Sequence, residues 1–388
     1  MPDLERLVKA IREEGLRGWL FYSHFHRDRI ADRVLSIRPE AMNTRPWVYL
    51  VYADRPPVKI VHGIEAAALE SLPGERRVYV TQEEFRAALE AARPGDGPVA
   101  ADYSDGLPVL SFLDHGTAIL LAQAGYRLAS ASGLIRRFLG TTDEAGYRSH
   151  EEAARHLYDV VDLTWKRLRA EAGRGAEIRE GAVLEWMTRL MEERGLEFHD
   201  GPVVAFGRNS SDPHYGPQGG GAALEPADMV LLDLWGRKKE PGSVYADISW
   251  MGVAAKEAAS RPAAAFQAVI QARDRAIRFL AEELVRGGRP SGADVDREAR
   301  RVLRDLGFSS GLRHRTGHAI GEDVHGFGVN LDCVEFPDDR ALDEGALFSI
   351  EPGLYLEGFG VRTEVDACIR DGRLVVTGSR PQSDLLSL

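Results

Sequence analysis

The run Met229-Val-Leu-Leu-Asp-Leu-Trp235 reads as a buried strand, yet an acid stands in its middle. An ionised carboxylate there needs a cation or strong hydrogen bonds to persist. The turn-forming stretch Gly236-Arg-Lys-Lys-Glu-Pro-Gly242 follows, and then a second apolar strand with a second acid, Tyr245-Ala-Asp-Ile-Ser249. A hairpin between the two brings Asp233 and Asp247 side by side. Taken alone, Asp233 reads equally well as a hydrogen-bonded structural acid and Asp247 as an exposed strand residue. The pair gains meaning from what stands downstream.

Leu347-Phe-Ser-Ile350 repeats the pattern, a strand delivering Glu351 to the sharp turn at Pro352-Gly353. The stretch from Gly353 to Gly360 makes a second hairpin that sets Glu351 against Glu364, with Arg362 on the same strand face as Glu364. Arg362 is either a plain ion-pair partner or the group that orients a bridging carboxylate. His318 stands in Thr316-Gly-His-Ala-Ile-Gly321, where glycines let the backbone approach a ligand, and His325 follows in Val324-His-Gly-Phe-Gly328. That spacing excludes the H-E-x-x-H zinc helix. His214, in the turn-rich Ser211-Asp-Pro-His-Tyr-Gly216, is an exposed loop residue by itself, or an oxyanion donor if the loop reaches the site. Four carboxylates gathered without cations would raise one another's pKa values and take up protons. Two divalent ions cancel that charge. A mostly oxygen ligand set with one imidazole suits manganese, cobalt, iron or zinc in a catalytic role.

Working outward, 388 residues allow two domains, and 44% hydrophobic with 28% charged residues describes an ordinary soluble chain. Upstream, Gly18 to Tyr22, Trp47 to Tyr52, Val58 to Val61, Arg77 to Thr81 and Pro98 to Asp102 read as strands. They alternate with helical segments such as Gln82 to Ala92 and Pro108 to Ala124, an α/β pattern over residues 1–140 with no strong catalytic motif. Turn and capping residues from Gly140 to Gly146 mark a junction, and Ser149 with Glu152 predicts the capped start of a long helix ending near Ala172. Residues 147–388 cluster helices with antiparallel strand pairs, an α+β pattern. The opening Met1-Pro-Asp-Leu-Glu-Arg6 lacks a signal-peptide core and no apolar run is long enough for a bilayer, so a cytoplasmic protein without a membrane partner is expected. Cys333 and Cys368 lack C-x-x-C spacing and read as reduced thiols. The net charge of -11 argues against a nucleic-acid partner.

Two rival signals are weaker. Gly307-Phe-Ser-Ser-Gly311 satisfies G-x-S-x-G around Ser309, but a predicted helix precedes it where a nucleophile elbow needs a strand. His24 and His26 form an H-x-H with no third ligand in sight.

Taken in order, Asp233-Leu-Trp with Tyr245-Ala-Asp-Ile-Ser249, Gly317-His-Ala-Ile-Gly321 with His325, Ile350-Glu-Pro-Gly-Leu-Tyr355 and Val361-Arg-Thr-Glu364 resemble the pita-bread metallopeptidases. That family includes methionine aminopeptidase, Xaa-Pro dipeptidase and aminopeptidase P, and the resemblance covers about residues 150–388. The upstream α/β domain is similar to that of creatinase and the proline peptidases. The resemblance implies a pita-bread catalytic domain, two divalent ions, a peptide substrate and a homodimer. By it, Asp233 would chelate one ion, Asp247 and Glu364 would bridge both, and His318 with Glu351 would complete the second. Glu351 would also shuttle protons, His214 and His325 would hydrogen-bond the scissile carbonyl and its tetrahedral intermediate, and Arg362 would support the bridging acids. Arg340, in Asp339-Arg-Ala-Leu342, matches the position of a carboxylate-binding arginine in dipeptidases.

The chain departs from the family pattern at Trp235, where a small residue is common, at Trp250, where an arginine is common, and at Gly326, where an acid often follows the histidine. The hairpin to Asp247 is also longer than usual. Trp235 and Trp250 are therefore expected to reshape the substrate pocket. The activity implied is hydrolysis of the Xaa-Pro bond in dipeptides, or removal of the first residue from peptides with proline second. Two alternatives stand beside it: a metal-dependent hydrolase of another small amide or C–N bond, and a binding module without catalysis.

Overall fold

Six strands build the sheet of the N-terminal part: β1 (Gly18–Ser23), β2 (Trp47–Tyr52), β3 (Val58–His62), β4 (Glu75–Tyr79), β5 (Pro98–Ala101) and β6 (Arg127–Ser130), in the order β4-β3-β2-β1-β5-β6. The central β1 and β2 are almost wholly buried, as their unbroken apolar sequences demand. Helices α1 (Leu4–Glu13), α2 (Arg29–Val34), α3 (Gln82–Ala92), α4 (His115–Gln123) and α5 (Ser132–Leu139) accompany them. The helix expected from Pro108 is shorter. Pro108–Leu110 makes one 3₁₀ turn, and α4 starts where Asp114 accepts the Thr117 amide. The computed structural model describes residues 2–38, 40–378 and 380–388, and the chain divides into two units, one ending at Leu139 and one from Gly140 to Leu388.

The second unit begins with α6 (Glu144–Gly173), α7 (Glu180–Glu193), β7 (Leu196–Glu197), β8 (Val203–Phe206), β9 (Met229–Lys238) and β10 (Ala246–Val253). It continues with α8 (Ser260–Val285), α9 (Gly292–Asp305), β11 (Leu347–Ile350), β12 (Gly353–Leu356), β13 (Phe359–Arg362), β14 (Val365–Arg370), β15 (Arg373–Val376) and β16 (Leu386–Ser387). α6 starts earlier than the Ser149–Glu152 pattern predicts. Asp143 caps it by accepting the Gly146 amide, and Ser149 Oγ instead donates to Gly146 O and accepts the Val244 amide.

The β9–β10 hairpin is the centre of this unit. Strand alternation sends Val230, Leu232, Leu234, Ile248 and Trp250 into one core with Leu157, Val161 and Trp165 of α6 and Val183 and Met187 of α7. Met229, Leu231, Met251 and Val253 join the opposite core, with residues of α8, α9 and the C-terminal strands. Among the described residues, no helix is long and apolar enough to cross a membrane.

Candidate functional site

In the β9–β10 ladder Asp247 lies opposite Trp235, and Ser249 lies opposite Asp233. The two acids are thus diagonal neighbours rather than a facing pair. Both occupy the sheet face whose other positions fill the α8–α9 core, so each carboxylate replaces what would otherwise be buried hydrocarbon. The same alternation corrects the expectation for Trp250. Its indole points to the other face and meets Tyr158 edge-on at 5.9 Å, away from the acids. Trp235 stays on the site face, half-buried, its indole N–H donating to His199 O at 2.9 Å.

Two short ladders deliver the glutamates. β11–β14 pairs Ile350 with Val365, and β12–β13 pairs Gly353 with Arg362. The register is the same on both sides, so Glu351 and Glu364 fall opposite one another in the break between ladders. Their amides bond elsewhere, Glu351 N–H to Thr316 O at 2.7 Å and Glu364 N–H to Ser249 O at 3.3 Å. His318 is threaded beside β11: its amide donates to Ser349 Oγ at 3.0 Å and its carbonyl accepts the Ser349 amide at 2.9 Å. A Cβ on Gly317 would stand 2.0 Å from Ser349 O, so this approach requires glycine. His318 Nδ1 faces Ala319 O at 3.2 Å, which leaves Nε2 turned toward Asp247 Oδ2 at 3.6 Å and Glu351 Oε1 at 3.5 Å.

Asp247, His318 and Glu364 are buried, with one ligand atom each lying within 4.8 Å of the others. Asp247 Oδ1 and Glu364 Oε1 are buried without a hydrogen-bond partner among the described residues. Burial first, and then the neighbouring acids, hold both carboxyls well above the usual carboxylate range. Burial raises Glu351 as well and keeps His318 neutral. Orphaned carboxylate oxygens converging on a neutral imidazole nitrogen are a donor set that a divalent cation satisfies. Asp233 stands beside this group, tied to it through Ser249. Its Oδ1 accepts from Ser249 Oγ at 2.6 Å, and its Oδ2 pairs with Arg362 Nη2 at 2.5 Å. Arg362 also donates Nε–H to Ser249 Oγ and Nη1–H to Tyr355 OH, each at 2.9 Å, and Tyr355 OH in turn meets His314 Nε2 at 2.8 Å.

Ser249, Tyr355 and His314 are functional neighbours that the sequence reading misses. Ser249 carries a signal, since it shares a strand face with Asp247 two residues away. His314 has only its proximity to His318 in the chain. His325 stacks edge-on against His318 with ring centroids 4.3 Å apart, and that neighbour first, then burial, pushes its pKa down to about 3. His214 is part of the same electrostatic group, adding to the depression at His325. Arg340 is placed differently. Its Nε and Nη2 pair with Asp338 at 2.8 and 2.7 Å, and Nη2 also donates to Gly328 O at 2.6 Å, so the guanidinium is committed to a buried acid of its own. A substrate carboxylate, its expected ligand, would have to share the guanidinium with that acid. Ser309 begins a 3₁₀ turn after α9, not a strand-to-helix elbow.

Relatives bear on this geometry. The chain is 29% identical over 261 residues to a putative dipeptidase YkvY of Bacillus subtilis, covering 66% of this chain and 65% of that protein. It is 34% identical over 163 residues to an Xaa-Pro dipeptidase of Lactobacillus delbrueckii, covering 42% of this chain and 40% of that one. The chain therefore matches less than two thirds of the length of either relative. Its fold is similar to the crystal structure of dipeptidase PepE from Mycobacterium ulcerans, with a TM-score of 0.73, 22% identity, and 99% and 96% of the two chains covered. The model of metallopeptidase family M24 matches residues 148–371, more than half of the chain and a span that includes every acid and histidine gathered above. With a buried carboxylate–imidazole cluster at the heart of that span, the chain belongs to metallopeptidase family M24 and has its pita-bread fold.

Proposed function

We propose that this chain is a dinuclear metallo-exopeptidase that hydrolyses the bond between a first residue and a following proline, in dipeptides or at the start of short peptides. The observation that carries this reading is the buried Asp247–His318–Glu364 cluster with its two unpartnered carboxylate oxygens. Asp233 and Glu351 would join Asp247, His318 and Glu364 in a five-residue set able to hold two divalent ions. Divalent ions held there supply Lewis acidity, which makes water acidic enough to attack a peptide carbonyl at neutral pH. The names of the relatives as dipeptidases and an Xaa-Pro dipeptidase support the substrate class.

The side chains divide the remaining work. Glu351, at the turn after β11, accepts the proton of the attacking water and passes it to the leaving nitrogen. His325, held neutral beside His318, offers an N–H to the developing oxyanion, and His214 offers a second from its loop. Arg362 works through others: it fixes the carboxylate of Asp233 and the hydroxyl of Ser249, and the five-donor guanidinium matches that fork. The test is hydrolysis of an Xaa-Pro dipeptide and a matched Xaa-Pro-Yaa tripeptide by chelator-treated protein, before and after adding manganese, cobalt or zinc. Cleavage restored by metal and abolished by Asp247→Ala supports the reading, and the preferred length names the subtype. Metal binding in about two equivalents without cleavage of either peptide keeps the centre and removes the proline substrate. No metal binding removes both.

A further inference from the structure

Glu180 opens α7 and is fully buried, yet the four hydrogen bonds its carboxylate accepts all come from outside its helix. Oε1 takes the Phe206 amide at 2.7 Å and Asn209 Nδ2 at 2.9 Å. Oε2 takes the Tyr215 hydroxyl at 2.7 Å and the Ala222 amide at 2.6 Å. All four donors belong to the segment from 206 to 222, the loop that carries His214. The first and last of them bracket it, and Tyr215 is the residue next to His214.

The backbone around this carboxylate is built to admit the loop. Glu180 and Gly181 amides donate to Ala222 O and Gly220 O at 3.0 and 2.9 Å. Gly219, Gly220 and Gly221 all take positive φ, and a Cβ on Gly221 would meet Glu180 Oε2 at 2.6 Å. The other limb of the loop lies on β13, where Ser210 Oγ accepts the Gly360 amide at 2.8 Å. His214 is exposed on this loop and is one of the neighbours that lower the pKa of His325. A carboxylate is acceptor-only with about four lone-pair sites, which matches four donors without remainder.

We propose that Glu180 is the positioning residue of the His214 loop, a single buried carboxylate that fixes where the His214 imidazole stands relative to His325 and the reacting carbonyl. This rests on the peptidase reading for its consequence in rate, though not for the anchoring itself. Each Glu180 oxygen accepts one backbone amide, Phe206 on one side and Ala222 on the other, so either orientation of a glutamine would turn an NH2 toward a backbone N–H. Glu180→Gln therefore releases one limb of the loop while keeping side-chain volume.

Two measurements on the full metal-loaded chain test this. Hydrogen–deuterium exchange in Glu180→Gln is expected to speed up about tenfold or more within 206–222 and little elsewhere, because local opening is confined to the loop. With an Xaa-Pro dipeptide, kcat is expected to fall roughly tenfold or more with KM within about twofold, the mark of a group felt in the transition state. In a His214→Ala background the same substitution should cost less than about twofold, since the two act through one contact. Unchanged exchange in the loop overturns the proposal, as does an equal loss of kcat in both backgrounds. If Glu180→Gln fails to fold, Tyr215→Phe removes one donor only and should give the same pattern at smaller size; no change in exchange or kcat there also overturns it. If the wild-type protein cleaves neither peptide, the peptidase reading falls, and the exchange experiment alone decides whether Glu180 anchors the loop.

Discussion

Replacing Ser249 with alanine deletes one oxygen that three charged side chains share. The hydroxyl faces Asp233 Oδ1 at 2.6 Å, Glu364 Oε2 at 2.9 Å and Arg362 Nε at 2.9 Å, and it owns a single proton. That proton goes to Asp233, the shorter contact, and the Arg362 N–H fills one lone pair. Glu364 Oε2 stands within reach of the same hydroxyl as an alternative acceptor. The alanine variant leaves the Arg362 Nε–H buried without this acceptor and frees the carboxylates of Asp233 and Glu364, both proposed as metal ligands, to turn. A hydrogen bond to a charged group is worth about 1.5–3 kcal/mol. Loss of a partner that orients metal ligands costs about 10–100-fold in affinity, or about 1.4–2.8 kcal/mol. The two routes agree, so Ser249→Ala should bind manganese about 10–100-fold more weakly than wild type. Titration calorimetry against a competing chelator measures this, with far-ultraviolet circular dichroism as the check on folding. Ser249→Thr, which keeps the hydroxyl, should recover most of the loss. A folded alanine variant whose affinity stays within about twofold of wild type refutes the hydroxyl's role in orienting the ligands.

The metal-free protein should lose stability as pH rises. Asp247 and Glu364, lifted by burial and neighbouring acids, and Glu351, lifted by burial, have folded pKa values above their unfolded ones. Their contribution is thus full below the ordinary carboxylate range and is lost as pH climbs through the folded values. The buried, neutral His318 and His314 act the other way only below their ordinary value of 6.5. A fall in Tm of chelated protein as pH rises out of the ordinary carboxylate range, smaller in Glu364→Gln, is the expected thermal-shift result, and a Tm that goes on rising above pH 6.5, where the histidines no longer act, contradicts it. Arg340→Ala strips a buried Asp338 of its partner, which costs about 3–5 kcal/mol when one half of a buried pair is removed. Tm should drop while KM for a dipeptide holds; a large rise in KM at unchanged Tm would instead support the substrate-carboxylate role. Gly317→Ala puts a Cβ 2.0 Å from Ser349 O and so displaces His318, with a stability loss of about 1–3 kcal/mol or more and weaker metal binding. Wild-type Tm and affinity in that variant would show that the strand tolerates the shift.

What is legible in the sequence is what depends on neighbours along the chain. An acid inside or just after an apolar strand is a local anomaly, and Asp233, Asp247 and Glu351 each present it beside one element. Strand alternation, also local, assigns Asp247 and Ser249 to one face and Trp250 to the other; applied strictly, it places Trp250 outside the pocket. Arg340 does not yield to the same rule. Its acid, Asp338, is two residues off, but whether that pair is buried depends on the carbonyls of Phe327 and Gly328 folding over it.

Glu180 marks the boundary of such reading. At the first turn of a helix a glutamate looks like an ordinary complement to the helix dipole, and nothing nearby marks it as buried. Its four donors lie 26, 29, 35 and 42 residues downstream, and they converge only because the 206–222 loop folds back onto the start of α7. The break between the β11–β14 and β12–β13 ladders is of the same kind. The turn after Glu351 is visible as Pro352-Gly353, but the unbroken register across the gap, which sets Glu351 against Glu364 while freeing both amides for Thr316 and Ser249, is a property of paired strands. Which acids stand out is thus written largely in the chain beside them, whereas their mutual geometry and the loop that anchors to Glu180 are written between elements. For the same reason the substitutions most informative about this protein are the supporting residues Ser249, Gly317 and Glu180.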